Sequence, residues 1–360
     1  MTAYDVVVIG GGPAGLCAAI AAAEHGASTC IVDRQDSLGG QLVKQTHKFF
    51  GSKDELAGTR GIEIARILSE RLARLKNATV LLEATALGYY PDNVLTVEHG
   101  GAFKKIHASS LIVATGASER MLAFPNNDLP GVYGAGAAQT LMNLHGVRPG
   151  DTVLMVGAGN IGLIVSYQLR QAGVNVAAVV EAAPVIGGYA VHASKIRRIG
   201  IPVLTRHSVK EVLGREAVES AVIWRLDASW QGIPGTESVV QCDVVCLATG
   251  LTPLVEILWQ AGCRMKRVPE LGGHVPVSDE NMQTTVPGVF VAGDAAGVEE
   301  ASAAMLTGRL AGLGAAHRLG CCPEYGPLSA EARRGLASLR TGPTSDKIRA
   351  GLQKLKEALP

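Results

Sequence analysis

A glycine-rich motif occurs twice in this 360-residue chain, each time directly after a short apolar run. The first copy is Gly10-Gly11-Gly12-Pro13-Ala14-Gly15 and the second is Gly157-Ala158-Gly159-Asn160-Ile161-Gly162. Where a strand turns into a helix, the first glycine of such a motif makes the turn, the second admits phosphates, and the third lets helix and strand pack closely. Each copy therefore predicts a strand, a tight turn and a helix whose N-terminus faces a pyrophosphate.

The repeat continues beyond the two glycine motifs. The strand after each motif ends in an acid, Asp33 in the first half and Glu181 in the second, and such a carboxylate can accept hydrogen bonds from ribose hydroxyls. Each half then carries a Gly-Gly pair six positions after the acid and later an Ala-Thr-Gly after an apolar strand, at 39–40 and 114–116 and at 187–188 and 248–250. The two halves therefore read as copies of one module.

Length and charge narrow the class of protein. A chain of 360 residues suffices for about two domains of ~150 residues each. The formal charge of +1 and the absence of a long basic run argue against nucleic acid or an anionic membrane as the main partner. Residues 6–23 carry no charge, but their glycines and Pro13 favour a strand, a turn and a buried helix over a membrane span. No signal-peptide pattern precedes them, so we expect a cytoplasmic protein.

The seven cysteines contain no C-x-x-C pair. This argues against a disulfide framework, and we predict no metal site. Cys321-Cys322 is the pair for which a metal or a partner contact remains the alternative to inert thiols.

The segment that ends in Gly293-Asp294 completes a resemblance over about residues 4–320. The chain resembles the two-dinucleotide-binding-domain flavoproteins of the pyridine nucleotide-disulfide oxidoreductase superfamily. The resemblance implies an α/β fold with two Rossmann-like FAD/NAD(P)-binding modules, the NAD module inserted in the FAD module. The expected domains are an FAD-binding domain at 1–117 and 252–320, an NAD(P)-binding domain at 118–251 and a C-terminal tail at 321–360.

The resemblance also implies roles for individual residues. The first glycine motif would hold the FAD pyrophosphate, Asp33 the adenosine ribose and Asp294 the ribityl chain, while Gly39-Gly40-Gln41 would pass near the flavin. The predicted cofactor-binding residues of the FAD-binding domain are Gly10, Gly12, Pro13, Ala14, Gly15, Asp33, Arg34, Gly39, Gly40, Gln41, Ala86, Thr115, Gly116, Gly293, Asp294, Ala301, Ser302 and Ala303. Those of the second domain are Gly157, Gly159, Asn160, Ile161, Gly162, Glu181 and Gly250.

A closer resemblance is carried by three stretches, at 117–120, at 129–139, and at 293–297 together with 308–312. They are similar to the alpha-type subunits of multimeric sarcosine oxidases, dye-linked proline dehydrogenases, opine oxidases and hydrogen cyanide synthases. Such subunits often work beside a second flavoprotein. Larger members carry a C-terminal cysteine cluster for an iron–sulfur centre, which we expect this chain to lack. We expect the tail to be a docking extension or a partly ordered end, with helices at 329–339 and 345–359.

A helix predicted from about Val298 would place its N-terminus close behind Asp294. A helix N-terminus carries about half a positive charge. The backbone N–H groups of residues 301–303 are therefore expected to face the N1 and C2 oxygen edge of the flavin and to favour hydride acceptance. An ordinary packing helix is the alternative.

In the second module, Glu181 favours NAD(H) over NADP(H), because a carboxylate repels a 2′-phosphate. Two alternatives stay open. The basic residues of the next helix could reach a phosphate rather than form a solvated face, namely Lys195, Arg197 and Arg198. The module could also be a relic that binds no nucleotide.

Disulfide reduction needs two thiols beside the flavin, and the sequence does not supply them. The segment 41–47 has no C-x-x-x-x-C and the segment 135–138 has no C-x-x-C. His47, in a loop with Lys48 and Phe49-Phe50, is the candidate catalytic residue, although a lone loop histidine is more often structural.

The predicted function is an FAD-dependent oxidoreductase. It would pass a hydride from NAD(P)H, with NADH favoured, through FAD to a small-molecule or protein acceptor outside the chain, without a redox-active disulfide. One alternative is the FAD/NAD-binding alpha-type subunit of a multimeric amine or imino acid dehydrogenase, working with a second flavoprotein or electron-carrier protein. Another is a non-catalytic nucleotide-binding scaffold. We expect no nucleic-acid partner and no membrane span, and a homo-oligomer is compatible with the sequence.

Overall fold

The computed structural model of the chain describes residues 1–49, 52–342 and 345–358. The chain divides into two compact units, a discontinuous unit formed by Met1–Ser118 with Thr252–Pro360 and an inserted unit formed by Glu119–Leu251. Each unit contains a parallel sheet with helices against it. The prediction of an α/β fold with two Rossmann-like modules, one inserted in the other, is therefore confirmed.

The described residues form nineteen strands and nine α-helices. Strands β1 to β19 span Thr2–Ile9, Thr29–Val32, Ala78–Leu81, Ala84–Tyr89, Val94–His99, Ala102–Val113, Ala117–Glu119, Val132–Gly134, Thr152–Val156, Asn175–Glu181, Val203–Thr205, His207–Leu213, Ser220–Arg225, Ser238–Gln241, Val244–Leu247, Leu251–Pro253, Met265–Val268, Gly273–Pro276 and Val289–Val291. Helices α1 to α9 span Pro13–Glu24, Gly61–Ala73, Ala135–His145, Asn160–Gln171, Ala190–Arg198, Glu256–Gln260, Ala301–Arg318, Tyr325–Leu339 and Asp346–Lys356. Short 3-10 helices span Gly40–Lys44, Pro269–Leu271 and Gly293–Ala295.

In the discontinuous unit, strands β3, β2, β1, β6 and β19 run parallel in that order, and β5 and β4 extend the sheet in antiparallel pairing. Strand β2 is buried along its whole length, as expected for a parallel strand with both faces covered. Ile9 lies opposite Val32 and Val113, and Val291 also lies opposite Val113. The carboxyl ends of β1, β2, β6 and β19 therefore meet at one edge of the sheet.

The inserted unit repeats this arrangement on a smaller scale. Its parallel sheet has the order β11, β10, β9, β15 and β8, and β12 to β14 form a separate antiparallel sheet. Val156 lies opposite both Val180 and Leu247. The ends of β9, β10 and β15 therefore share one edge, as the ends of β1, β2 and β6 do in the other unit.

Residues 6–9 form the second half of β1, and residues 13–23 belong to α1, so the prediction of a strand, a turn and a buried helix is confirmed. Among the described residues, no helix has both the length and the apolar character needed to cross a membrane. The sequence did not predict β4, because Ala84–Tyr89 carries a glycine and lacks clear alternation. The apolar pattern of the sequence predicts a helix from about Leu56, but α2 starts five residues later, at Gly61.

The C-terminal segment is part of the discontinuous unit. Ala332 and Leu336 on α8 join the main core of that unit, and Leu355 on α9 joins a small cluster around Leu271. Helix α8 starts four residues before the predicted helix, and α9 starts at Asp346. The predicted helix at 345–359 includes Leu359, which lies outside the described residues.

Two glycines of α7 allow this helix to approach α1 at backbone distance. A Cβ atom added at Gly308 would lie 2.1 Å from the carbonyl oxygen of Ala14, and one added at Gly312 would lie 2.2 Å from that of Ala18. The two glycines and the two alanines are each one helical turn apart, so the four residues form a continuous contact line. This contact positions α7 against the helix that follows the first glycine motif.

We predict that Gly312→Ala lowers the free energy of unfolding by about 2 kcal/mol or more, because the new methyl group meets a backbone atom that cannot move independently. Denaturant unfolding followed by circular dichroism would measure the loss. Gly335→Ala on α8 is the matched control. Its Cβ would meet only a methyl group of Leu306 at 3.1 Å, and we expect a change below about 1 kcal/mol. Equal losses in both variants would contradict the role of backbone contact.

Candidate functional site

The parallel register of the discontinuous unit brings four predicted elements to one edge of its sheet. Gly10 follows β1, Asp33 follows β2, Thr115 lies two residues after β6, and Asp294 lies three residues after β19. Because the last residues of these strands are paired with one another, the loops that follow them are neighbours. The sequence-predicted residues on these loops are therefore gathered at this edge.

The glycines of the first motif differ in what surrounds them. Gly10 has a φ of +101°, and a Cβ atom there would lie 2.3 Å from the carbonyl oxygen of Ala114. A Cβ atom at Gly15 would lie 1.8 Å from the carbonyl oxygen of Gly10. At Gly12, by contrast, the nearest atom would be the Cα of Gly40 at 3.9 Å. Gly10 and Gly15 are required by the fold itself, whereas Gly12 borders open space at the N-terminus of α1.

The Gly39-Gly40 pair lies directly against the first motif. The N–H of Gly39 donates a hydrogen bond to the carbonyl oxygen of Gly11 at 2.8 Å. A Cβ atom at Gly40 would lie 2.8 Å from the Cα of Gly12. The 3-10 helix that contains Gln41 therefore starts beside the open glycine.

Asp33 is buried and ties two loops together. Its carboxylate accepts hydrogen bonds from the N–H groups of Gly11 at 2.5 Å and Gln35 at 2.8 Å. The carbonyl oxygen of Asp33 accepts a bond from the N–H of Ala84 at 2.9 Å, which places the start of β4, and with it Ala86, next to this edge. Arg34 is exposed.

The Ala-Thr-Gly element after β6 is held by the returning chain. The Thr115 hydroxyl donates to the carbonyl oxygen of Leu254 at 2.6 Å, and the N–H of Leu254 donates to the carbonyl oxygen of Gly116 at 3.0 Å. Gly116 has a φ of +76° with no atom within 4 Å of a Cβ placed there.

Asp294 lies in the short 3-10 helix ahead of α7. Burial raises the pKa of its carboxyl to about 6, and the hydrogen bond from the N–H of Glu299, at 3.3 Å, opposes this rise. The N–H of Gly293 donates to the hydroxyl of Thr307 at 3.0 Å, which anchors the element on α7. Helix α7 begins at Ala301, three residues after the predicted start at Val298.

The first turn of α7 therefore contains the three residues singled out from the sequence. Ser302 and Ala303 are buried, and Ala301 is partly buried. The first amides of an α-helix have no acceptor within the helix, and together they carry a partial positive charge.

The inserted unit reproduces the same geometry around the second motif. A Cβ atom at Gly157 would lie 2.3 Å from the carbonyl oxygen of Ala248, and one at Gly162 would lie 2.0 Å from that of Gly157. Gly159, like Gly12, is open, with no atom within 4 Å of its Cβ position. A Cβ atom at Gly188 would lie 3.0 Å from the carbonyl carbon of Gly159, which matches the approach of the first Gly-Gly pair to the first motif.

Glu181 has the same hydrogen-bond partners in its unit as Asp33 has in the other. Its carboxylate accepts bonds from the N–H groups of Ala158 at 2.7 Å and Ala183 at 2.9 Å. Gly250, after the second Ala-Thr-Gly, has a φ of +117° and open space at its Cβ position. The duplication seen in the sequence therefore extends to individual hydrogen bonds, which the motifs alone do not predict.

The other predicted residues of the inserted unit lie on α4 and α5. The side-chain oxygen of Asn160 accepts the N–H of Tyr189 at 2.8 Å, which links the start of α4 to the start of α5, and Ile161 is exposed. The three basic residues of α5 are exposed as well, and the Nζ of Lys195 lies 5.5 Å from the centre of the Tyr167 ring.

His47 lies in the loop after the first 3-10 helix and is partly buried. Its ring stacks on that of Phe49 at 5.5 Å, and Lys48 forms an isolated antiparallel bridge with Arg60. Phe50 lies outside the described residues. The ring contact links His47 to its own loop, and its catalytic role stays a prediction.

All seven cysteines are free thiols. Burial raises the pKa of Cys17, Cys30 and Cys246 to about 12 and that of Cys242 to about 11. Within residues 1–49, 52–342 and 345–358, no group of three or more His, Cys, Asp or Glu side chains is arranged to hold a metal ion.

Both sites have features that suit a pyrophosphate. Each has a glycine with open space beside it at a helix N-terminus, and each has a carboxylate at the end of the neighbouring strand. The fold thus defines a protein with two Rossmann-like modules.

A model of the pyridine nucleotide-disulphide oxidoreductase family matches residues 4–308. The chain belongs to this family, and it is therefore a flavoprotein of the oxidoreductase class.

Individual relatives refine this result. The chain is 29% identical to an opine oxidase subunit of Agrobacterium tumefaciens (strain Ach5), a match that covers 87% of this chain and 65% of that protein. It is 27% identical to the alpha subunit of the sarcosine oxidase of Rhizobium meliloti (strain 1021), over 93% of this chain and 32% of that protein. The chain thus spans less than two thirds of the length of these relatives. The predicted resemblance to alpha-type subunits is confirmed.

Among solved structures, the thioredoxin reductase of T. acidophilum superposes with a TM-score of 0.73 at 22% identity, covering 89% of this chain and 99% of the reductase. At this identity the likeness shows the fold alone.

We predict that Gly12→Ala and Gly159→Ala each weaken the binding of one nucleotide and spare the binding of the other. Both positions have room for a methyl group in the protein but not beside a bound pyrophosphate, so folding should be unchanged. Gly12→Ala should weaken FAD binding by about tenfold or more with NADH binding retained, and Gly159→Ala should do the reverse. Calorimetric titration of each variant measures both affinities. Loss of both nucleotides in one variant would instead indicate a folding defect.

Proposed function

We propose that this chain binds FAD in its discontinuous unit and NADH in its inserted unit, and that it passes a hydride from NADH through FAD to an acceptor outside the chain. The observation that carries the proposal is the duplicated site. In both units an open glycine, a Gly-Gly pair and a carboxylate bonded to two backbone amides share one sheet edge.

For FAD, we assign the pyrophosphate to the glycine motif at the start of α1 and the adenosine ribose to Asp33. A carboxylate has about four lone-pair sites. Two amides occupy part of this capacity at Asp33, and the remainder can accept ribose hydroxyls. Asp294 would accept a hydroxyl of the ribityl chain, and the loop at 39–41 would border the flavin ring.

The start of α7 supplies the electrostatic part of the proposed mechanism. When FAD is bound, its flavin accepts and releases a hydride. The backbone N–H groups at residues 301–303 would stabilise negative charge on the ring edge next to them, because the dipoles of the helix are fixed in advance. Thr307 and the α1 contact hold this helix in place.

The inserted unit favours NADH over NADPH in this proposal. The Glu181 carboxylate is fixed by two amides at the end of β10, where it can accept the ribose hydroxyls and would repel a 2′-phosphate. The basic side chains of α5 are exposed, as expected for a solvated helix face.

The acceptor would be a molecule outside this chain, because the sequence lacks the paired thiols of a redox-active disulfide, and burial makes Cys17, Cys30 and Cys246 poor nucleophiles by raising their pKa to about 12. A second candidate function is favoured by the names of the relatives. The matched opine oxidase and sarcosine oxidase proteins are each one subunit of an enzyme, so this chain could serve as the alpha-type subunit of an amine or imino acid dehydrogenase with a partner flavoprotein.

We predict that FAD affinity falls as the pH drops below about 6. The Asp294 carboxylate accepts the ribityl hydroxyl in this proposal, and its pKa without cofactor is raised to about 6 by burial. Affinity should therefore be full above this pH and decline below it as the carboxyl becomes protonated. Asp294→Asn should bind FAD more weakly and lose the pH dependence. Quenching of flavin fluorescence measures the affinity.

Asp279→Asn is the control for this pH experiment. Asp279 and Asp294 line one cavity, but the Asp279 carboxylate accepts hydrogen bonds from the N–H groups of Asn281 and Gln283 in its own turn. A wild-type affinity that does not vary between about pH 5 and pH 8 would refute the role given to Asp294.

We predict that NADH, and not NADPH, rapidly bleaches the visible absorbance of the FAD-loaded chain in anaerobic stopped-flow mixing. Glu181→Gln should lower the ratio of the bleaching rate with NADH to that with NADPH by about tenfold. Asp243→Asn is a matched control, since its carboxylate also accepts two backbone amides, of Asp151 and Thr152, but at the amino end of β9. It should leave the preference unchanged.

If neither nucleotide bleaches the flavin, hydride transfer from the inserted unit is rejected and the role of an alpha-type subunit becomes the leading function. If no donor reduces the bound FAD, with or without a partner protein, the remaining hypothesis is a non-catalytic nucleotide-binding scaffold.

A further inference from the structure

One ion pair joins the C-terminal segment to the loop ahead of α7. The guanidinium of Arg340, at the end of α8, donates two hydrogen bonds to the carboxylate of Glu299, at 2.9 and 2.6 Å. Their side chains are 21% and 13% exposed, the lowest values among the ion pairs of the described residues. A two-bond pair at this depth fixes the geometry of both side chains better than a single surface contact does.

Glu299 also touches the proposed cofactor site through its backbone. Its N–H donates to the carboxylate of Asp294 at 3.3 Å. Arg340 therefore reaches Asp294 through a single intermediate residue, although 46 positions separate the two in the sequence. The same cavity, of about 1110 Å³, is lined by all three residues.

We propose that Arg340 is a positioning residue for the FAD site. It holds Glu299 so that the N–H of Glu299 stays hydrogen-bonded to Asp294, and it balances the charge of the Glu299 carboxylate. This inference rests on the proposed binding of FAD at Asp294. It gives the C-terminal helices a function in the cofactor site rather than in packing alone.

The electrostatic consequence follows from the charges around Asp294. The Glu299 charge disfavours ionisation of Asp294, whereas the Glu299 N–H favours it. Removing the Arg340 guanidinium would leave the charge of Glu299 unbalanced and would release the loop that aims its N–H. Both changes act in the same direction and raise the pKa of Asp294.

Other charged groups of the cavity have partners of their own or belong to other elements. Arg333 bonds to Asn281 and lies 3.7 Å from Glu280. Arg349 pairs with Asp346 and donates to two backbone carbonyls, including that of Arg340. The remaining charged groups lining the cavity are Asp279 and Lys356. Among the described residues, Arg340 is the cation that forms an ion pair with Glu299.

The test compares four variants with wild type in FAD binding across the pH range. Arg340→Met should raise the pH at which affinity declines by about one unit. Arg340→Lys keeps the positive charge and should raise this pH by less. Arg340→Met combined with Glu299→Gln should return the midpoint close to wild type, because the unbalanced charge is gone. Arg309→Met is the matched control, since it breaks the Arg309–Glu331 pair between α7 and α8 without touching Glu299.

A second measurement does not depend on FAD. Hydrogen exchange of the cofactor-free protein should be faster across residues 295–300 in Arg340→Met and unchanged there in Arg309→Met. Equal shifts of the pH midpoint and equal exchange in the two variants would show that α8 docking alone matters and would overturn the inference.

The two proposals fail in different ways. Wild-type protein that binds no FAD at any pH rejects the proposed function, and with it a role of Arg340 in the cofactor site. Wild-type protein that binds FAD with the expected pH dependence, while Arg340→Met leaves midpoint and exchange unchanged, rejects only the role of Arg340.

Discussion

A carboxylate that accepts two backbone amides at the end of a strand is the interaction on which each site depends. Asp33 connects the glycine loop after β1, through Gly11, to its own turn, through Gln35. Glu181 makes the equivalent bonds in the inserted unit. Hydrogen bonds to an ionised acceptor are stronger than neutral ones, and here they hold the loop that leads into the helix N-terminus with the open glycine.

The glycines separate constraints of the fold from constraints of the ligand. At Gly10 and Gly15 a methyl group would collide with backbone, so these residues are needed whether or not anything binds. At Gly12 no protein atom is close enough to exclude alanine, so crowding does not explain the glycine. The same distinction holds between Gly157 and Gly159 in the second copy. The pyrophosphate sites that we propose would use the space beside these two open glycines.

The sequence predicted the parts of this structure that local patterns encode. Each strand, turn and helix around Gly12 and Gly159 follows from neighbouring residues, and the convergence of Asp33 and Asp294 follows from the parallel register. Strand β4 was not predicted from the sequence because its pairing with β5, and not its own composition, makes it a strand. The bond between Arg340 and Glu299 spans 41 positions and follows no motif, so only the fold reveals it.

The thiols limit what the family name can imply for this chain. Disulfide reduction requires a thiolate that can attack, but burial raises the pKa of Cys30 and Cys246 to about 12. Burial therefore makes these two thiols poor nucleophiles at neutral pH. The function that we propose accordingly places the electron acceptor outside the chain. Because the chain is similar to subunits of larger oxidases, a partner protein is the first acceptor to test.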